Sequence, residues 1–199
     1  IGNARTGEKV AEYASPHIRP DVFAPMVTAI CWLFKDEYNQ PALLGWEHAG
    51  PGQVFGKSVA DLLYPNIFER ETTNGALAPH SRGIRGTGKV MGWYPSVPAK
   101  RELLDEYNAA LDGRKFINRS GLALRECLSY RYNSKTGNIE HPHDLEADDP
   151  TGAKINHGDR VIADALAWKM MKLIGTVTGS DPEPERIKPG TLAWRRQLA

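Results

Sequence analysis

Residues 1–70 of this chain alternate between short apolar runs and segments whose apolar residues recur at helical spacing. Residues 9–14, 41–46 and 66–70 are predicted as strands, and helices are predicted to start at Asp21 and after Gly52. Short apolar runs bounded by glycine and proline are typical of buried strands, whereas an apolar stripe every three to four residues indicates a helix. The resulting order of strand, helix, strand, helix and strand predicts an α/β fold with helices covering a sheet.

The remainder of the chain continues the helical pattern around two long polar segments. Residues 72–98 are rich in glycine and are predicted to form a long loop or hairpin, a kind of segment that is usually functional or mobile. A polar tail, residues 179–199, follows a single predicted domain, residues 1–178. The other predicted elements are helices at 99–112, 120–128 and 159–174 and a hairpin at 128–139.

Composition excludes several classes of protein. Apolar residues make up 41% of the chain and charged residues 25%, as in an ordinary globular protein, and no long apolar run predicts a membrane span or signal peptide. Cys31 and Cys127 lie in apolar surroundings without metal-site spacing, which predicts reduced core thiols or, alternatively, one disulfide. Neither glycine-rich phosphate-binding motif is present, so nucleotide binding by those routes is excluded.

Glu47 closes the second predicted strand, directly before the glycine-rich turn at 50–52. Ligands of α/β folds bind at the carboxyl ends of strands, and glycines allow a backbone or phosphate to approach closely. Glu47 is therefore either a functional carboxylate or a surface acid at a strand end.

Asp159 opens the last predicted helix, after a small polar turn. It could cap that helix, or its carboxylate could bind a metal ion together with Glu47. Two carboxylates suit magnesium or manganese, and a two-metal site hydrolyses phosphodiesters. His157 is a further candidate ligand, with a plain turn residue as the alternative, and Asp164 is interpreted as a surface partner of Arg160, four residues earlier.

Charge is unevenly distributed along the chain. No acidic residue occurs between Glu71 and Glu102, although this interval contains Trp93 and Tyr94 as well as several cations. Such a segment suits contacts with the phosphates of double-stranded DNA, and a solvated flexible loop is the alternative. The candidate DNA-binding residues are Arg82, Arg85, Lys89, Lys100 and Arg101.

Four segments, taken in order, resemble the nuclease domain of the large terminase subunit of tailed bacteriophages, a member of the RNase H-like superfamily. The last of them is the most specific to that family. The segments are LLGWE at 43–47 with GPG at 50–52, MGWY at 91–94, HGDRVIADALA at 157–167, and PGTLAWR at 189–195.

The resemblance implies a specific fold and activity. The fold would be an RNase H-like mixed central sheet flanked by helices, with the first strand and its catalytic acid preceding Ile1. Glu47 and Asp159 would take two metal-ligand positions for magnesium or manganese in an endonuclease that cuts concatemeric double-stranded DNA. Two departures are notable, because the family's first acid is not in this sequence and Ala49 stands where family members often carry asparagine.

The resemblance also implies partners and a location. These are an upstream ATPase domain, a small terminase subunit and the portal of a procapsid, in the cytoplasm of the host cell. Two alternatives stay open: another RNase H-like nuclease, such as a junction resolvase or transposase, and a non-catalytic DNA-binding or motor-docking module.

Overall fold

A computed structural model of the chain describes residues 1–71, 89–133, 139–141 and 158–175. Over these residues the protein is mixed α/β, with five helices and three two-stranded antiparallel sheets. The helices are α1 (Pro20–Leu33), α2 (Pro51–Asp61), α3 (Val97–Asp112), α4 (Gly121–Ser129) and α5 (Asp159–Ile174). The strands are β1 (Gly2–Asn3), β2 (Glu8–Lys9), β3 (Glu69–Glu71), β4 (Lys89–Met91), β5 (Arg131–Tyr132) and β6 (Ile139–Glu140). The predicted tail, residues 179–199, lies outside the described residues.

All five predicted helices are confirmed, and their starts follow local sequence signals. Proline occupies the first turn of α1, α2 and α3, where its missing N–H costs nothing. The side chain of Ser96 accepts a hydrogen bond from the N–H of Ala99, and the side chain of Ser120 accepts one from Ala123. These caps satisfy N–H groups that the first turns of α3 and α4 would otherwise leave unpaired.

The sheets are smaller than the sequence predicts. The strand predicted at 9–14 is reduced to β2, which pairs with β1, and the hairpins β3–β4 and β5–β6 stand apart from it. The strand predicted at 41–46 is an extended segment joined to its neighbours by single parallel bridges, Leu44 to Ile67 and Glu47 to Trp93. The described residues therefore contain no continuous central sheet.

This extended segment lies between helices on both of its faces. Trp46 points to one face, where its indole packs edge-on against Phe55 of α2 at a centroid distance of 5.6 Å. Gly45 faces the opposite side, where a Cβ atom would lie 2.9 Å from the sulfur of Met170 in α5. Since successive side chains of an extended chain alternate, Glu47 shares the α5 side with Gly45.

Two hydrophobic clusters correspond to these two faces. One joins α1 and α2 to the extended segment and includes Cys31, and the other centres on α3 and α5. Leu103 of α3 is 1% exposed, and burial of a side chain of this size contributes roughly 1.5–3 kcal/mol. Cys31 and Cys127 are both free thiols, as the sequence predicts.

The structure corrects the interpretation of Asp164 as a surface partner of Arg160. Asp164 is 5% exposed, and its Oδ2 atom lies 2.8 Å from the Nζ atom of Lys9 in β2. The side chain of Asn118 donates a second hydrogen bond to the same oxygen, at 2.8 Å. Arg160 instead contacts Glu12 at 3.3 Å. The spacing of four residues failed as a guide because Asp164 is on the buried side of α5, where a distant lysine neutralises it.

Candidate metal site

Glu47 is placed by backbone hydrogen bonds along one edge of its segment. The N–H of Trp93 donates to the carbonyl oxygen of Trp46 at 2.8 Å, and the N–H of His48 donates to the carbonyl oxygen of Trp93 at 2.6 Å. These bonds fix the backbone on either side of Glu47, immediately before α2 begins at Pro51. The half-buried carboxylate of Glu47 is thus held at the end of an extended segment, as the sequence predicts.

Asp159 is the first residue of α5, and its side chain is exposed. Gly158 precedes it with a left-handed backbone, at φ 77°, and supplies no capping side chain. The N–H of Val161 donates instead to the Oε1 atom of Glu126 in α4, at 2.9 Å. Glu126 therefore caps this helix, and within the described ranges the carboxylate of Asp159 has no hydrogen-bond or ion-pair partner.

The charge of Asp159 acts on the pKa of Glu47. Burial is the largest cause of a raised pKa at Glu47; the ammonium of Lys100 opposes that rise, and the charge of Asp159 adds to it. Glu47, Asp159 and Lys100 are therefore coupled through the pKa of Glu47, and we group them as one candidate site. A cation bound at Glu47 would oppose the effects of burial and of the Asp159 charge on this pKa.

The donor set fits a hard divalent cation in part. Magnesium prefers oxygen ligands, retains several water molecules and commonly uses only one or two carboxylates. Glu47 and Asp159 match that description. Over residues 1–71, 89–133, 139–141 and 158–175, no cluster of three or more histidine, cysteine or acidic side chains is arranged to hold a metal ion.

The other predicted site residues are distributed unevenly. Lys100 lies in the first turns of α3, where its N–H donates to the carbonyl oxygen of Ser96 at 2.8 Å, and Arg101 follows it with an exposed side chain. Lys89 of β4 is exposed and lies 4.0 Å from Glu69 across the hairpin. Lys100 therefore acts electrostatically on Glu47, whereas Lys89 lies on the β3–β4 hairpin. His157, Arg82 and Arg85 lie outside the described residues.

Sequence reasoning missed Tyr130, which contacts the residue before Asp159. Its hydroxyl donates to the carbonyl oxygen of Gly158 at 3.0 Å. Burial raises the pKa of Tyr130, and the charges of Glu126, Asp159 and Glu47 raise it further, so the hydroxyl stays protonated at neutral pH. No local pattern could have revealed this role, since Tyr130 follows an ordinary helix and its partner is remote in sequence.

Comparison of the chain with protein-family models, curated proteins and solved structures gave no match. Among the described helices, none has the length and apolar content needed to cross a membrane.

Proposed function

We propose that this chain is a metal-dependent DNA nuclease domain of the RNase H-like kind, from the large terminase subunit of a tailed bacteriophage. It would cut concatemeric double-stranded DNA during genome packaging, together with an ATPase domain, a small subunit and a portal. The observation that supports the proposal is the electrostatic coupling of Glu47 to Asp159, whose charge raises the pKa of Glu47. The two acids come from the two motifs that resemble the family's acidic motifs, and they are far apart in sequence.

In this proposal each residue has a defined task. Glu47 and Asp159 would hold magnesium or manganese, which activates water and stabilises the charge that develops on the phosphate during hydrolysis. Lys100 would keep Glu47 ionised and attract the DNA backbone to the same place. Arg101 and Lys89 would contact phosphates farther from the carboxylates.

Cleavage of supercoiled plasmid tests this function. The protein, extended upstream to include the strand and acid that the resemblance places before Ile1, is incubated with plasmid and manganese, and parallel reactions contain EDTA or calcium instead. We expect nicked and linear products with manganese alone, because calcium binds carboxylates but rarely supports this chemistry. A DNA complex that forms without cleavage at any manganese concentration would favour the non-catalytic binding module.

The choice of DNA substrate distinguishes a terminase nuclease from a junction resolvase or a transposase. A terminase nuclease should cut linear duplex DNA and a four-way junction of the same sequence at similar rates. A strong preference for the junction would favour a resolvase, and joining of DNA ends to a target would favour a transposase.

Replacement of Lys100 by methionine is expected to change the pH dependence of cleavage. A carboxylate must be ionised to bind a cation, and Lys100 lowers the pKa of Glu47 against the effect of burial. Its removal therefore raises that pKa, and the acidic limb of kcat/KM moves to higher pH. We expect the loss of kcat/KM to be several-fold greater at pH 6 than at pH 8.5.

Arg101→Met is the matched control, since it removes an adjacent exposed cation from the same helix. It should weaken DNA binding to a similar degree at both pH values. An identical pH profile for the two variants would show that Lys100 does not control the ionisation of Glu47.

A further inference from the structure

The first turn of α5 is held by a side chain from another helix. The first four N–H groups of any α-helix lack partners within that helix, and Gly158 offers no side chain to supply one. Glu126 of α4, which is 2% exposed, accepts the N–H of Val161 at 2.9 Å through its Oε1 atom. Its other oxygen lies 3.5 Å from the guanidinium of Arg160. A single buried carboxylate therefore contacts both residues that directly follow Asp159, the backbone of Val161 and the side chain of Arg160.

The turn before Asp159 is held from the same side. The hydroxyl of Tyr130, one residue beyond the end of α4, donates to the carbonyl oxygen of Gly158 at 3.0 Å. The ring also packs so closely that a Cβ atom at position 158 would lie 2.8 Å from the phenol carbon bearing the hydroxyl. Tyr130 thus fixes the residue immediately before Asp159, as Glu126 fixes the two residues after it.

We propose that Glu126 and Tyr130 are positioning residues that aim the carboxylate of Asp159 at the metal site. Among the described residues, Asp159 makes no hydrogen bond or ion pair of its own, so its backbone is the means of orienting it. That backbone is held after Asp159 by Glu126 of α4 and before it by Tyr130, and we call these two side chains the clamp. The inference deepens the proposed function and rests on it for the identity of the cation.

Groups that orient metal ligands contribute measurably to affinity. Loss of such a partner typically costs about 10–100-fold in metal affinity or activity. Release of the clamp should therefore weaken cation binding without altering the charge of either carboxylate. It should not weaken DNA binding in the absence of metal, because neither Glu126 nor Tyr130 presents a positive charge.

Metal titrations of clamp variants test the proposal. Glu126→Ala and Tyr130→Phe are compared with the unchanged protein by calorimetric titration with manganese and by the manganese concentration that gives half-maximal cleavage. The dissociation constant for manganese and the manganese concentration for half-maximal cleavage should each rise about tenfold. Glu126→Gln should recover much of the loss, since its amide oxygen can still accept the N–H of Val161. Ala123→Gly, which loosens α4 while retaining both clamp side chains, should lower Tm and leave the manganese titration within twofold.

Two outcomes overturn the clamp. One is unchanged manganese affinity in both Glu126→Ala and Tyr130→Phe, and the other is an equal loss in Ala123→Gly. If the unchanged protein binds no manganese, the proposed function fails instead, and the clamp is then judged by hydrogen exchange. Exchange of the Asp159–Val161 amides should accelerate in Glu126→Ala and stay unchanged in Ala123→Gly, and equal acceleration in both would reject the clamp.

Discussion

Glu47→Gln and Asp159→Asn should each reduce manganese-dependent DNA cleavage by about a thousandfold. An amide nearly matches the shape of the carboxylate and removes the negative charge that holds the cation. Metal ions supply several kcal/mol of transition-state stabilisation in such sites, and each 1.4 kcal/mol corresponds to a tenfold change in rate. Single-turnover cleavage of a labelled duplex at saturating protein measures the chemical step without interference from product release.

The matched control is Asp61→Asn, which neutralises an exposed acid at the end of α2. It should cleave at the rate of the unchanged protein. Both site variants should also bind duplex DNA as tightly as the unchanged protein in EDTA, since they add no negative charge. Cleavage within about threefold of the unchanged rate in either site variant would rule out the proposed metal site.

Lys9→Met should lower the free energy of unfolding by about 3–5 kcal/mol at neutral pH, because it leaves Asp164 buried and ionised without its partner. The side chains of Lys9 and Asp164 are each 6% exposed, and their charged atoms lie 2.8 Å apart. This loss is a large part of the 5–15 kcal/mol that stabilises a typical domain. Chemical denaturation followed by circular dichroism measures it.

The loss of unfolding free energy in Lys9→Met should increase as pH rises. Burial raises the pKa of Asp164, and Lys9 is the main group that opposes the rise. Without Lys9 that pKa rises further above its unfolded value, so the folded state binds more protons than the unfolded state between the two values. Stability of Lys9→Met therefore falls as pH rises through this interval, and the variant should be closest to the unchanged protein at the acidic end of the interval.

Two further variants identify the buried pair as the cause. Lys9→Met combined with Asp164→Leu should recover about half of the loss, since an apolar pair often replaces a buried ion pair at little cost. Arg119→Met breaks an ion pair with Glu8 in which Arg119 is 68% exposed, so it should cost less than about 1 kcal/mol. A double variant less stable than Lys9→Met alone would show that lost packing dominates.

The helices were predictable because each one carries its own signals. Apolar spacing and a proline or serine at the start mark α1 and α3, and these signals act within a few residues of chain. Glu47 and Asp159 could be selected as candidates for a related reason, since each directly adjoins the end of a recognisable element. The pairing of the segment at 41–46 was not predictable, because its single bridges depend on two partners that meet only in the folded chain.

The partners of the buried charged residues could not be predicted from the sequence, because they are remote along the chain. Asp164 was assigned to Arg160 by spacing, whereas its neutralising partner is Lys9, at the other end of the chain. Glu126 reads as an ordinary helical acid, although it caps a helix whose start is far along the sequence. Both residues are buried charges, and the position of a compensating charge in space is not encoded in the residues beside it.

The contact between Gly158 and Tyr130 also imposes an evolutionary constraint. The left-handed backbone at position 158 disfavours any side chain, and the tyrosine ring fills the space that a Cβ atom would need. As long as an aromatic residue stays at 130, any single substitution of Gly158 would place a side chain against that ring. Relatives of this protein should therefore carry a side chain at 158 only where a smaller residue has replaced the aromatic ring at 130.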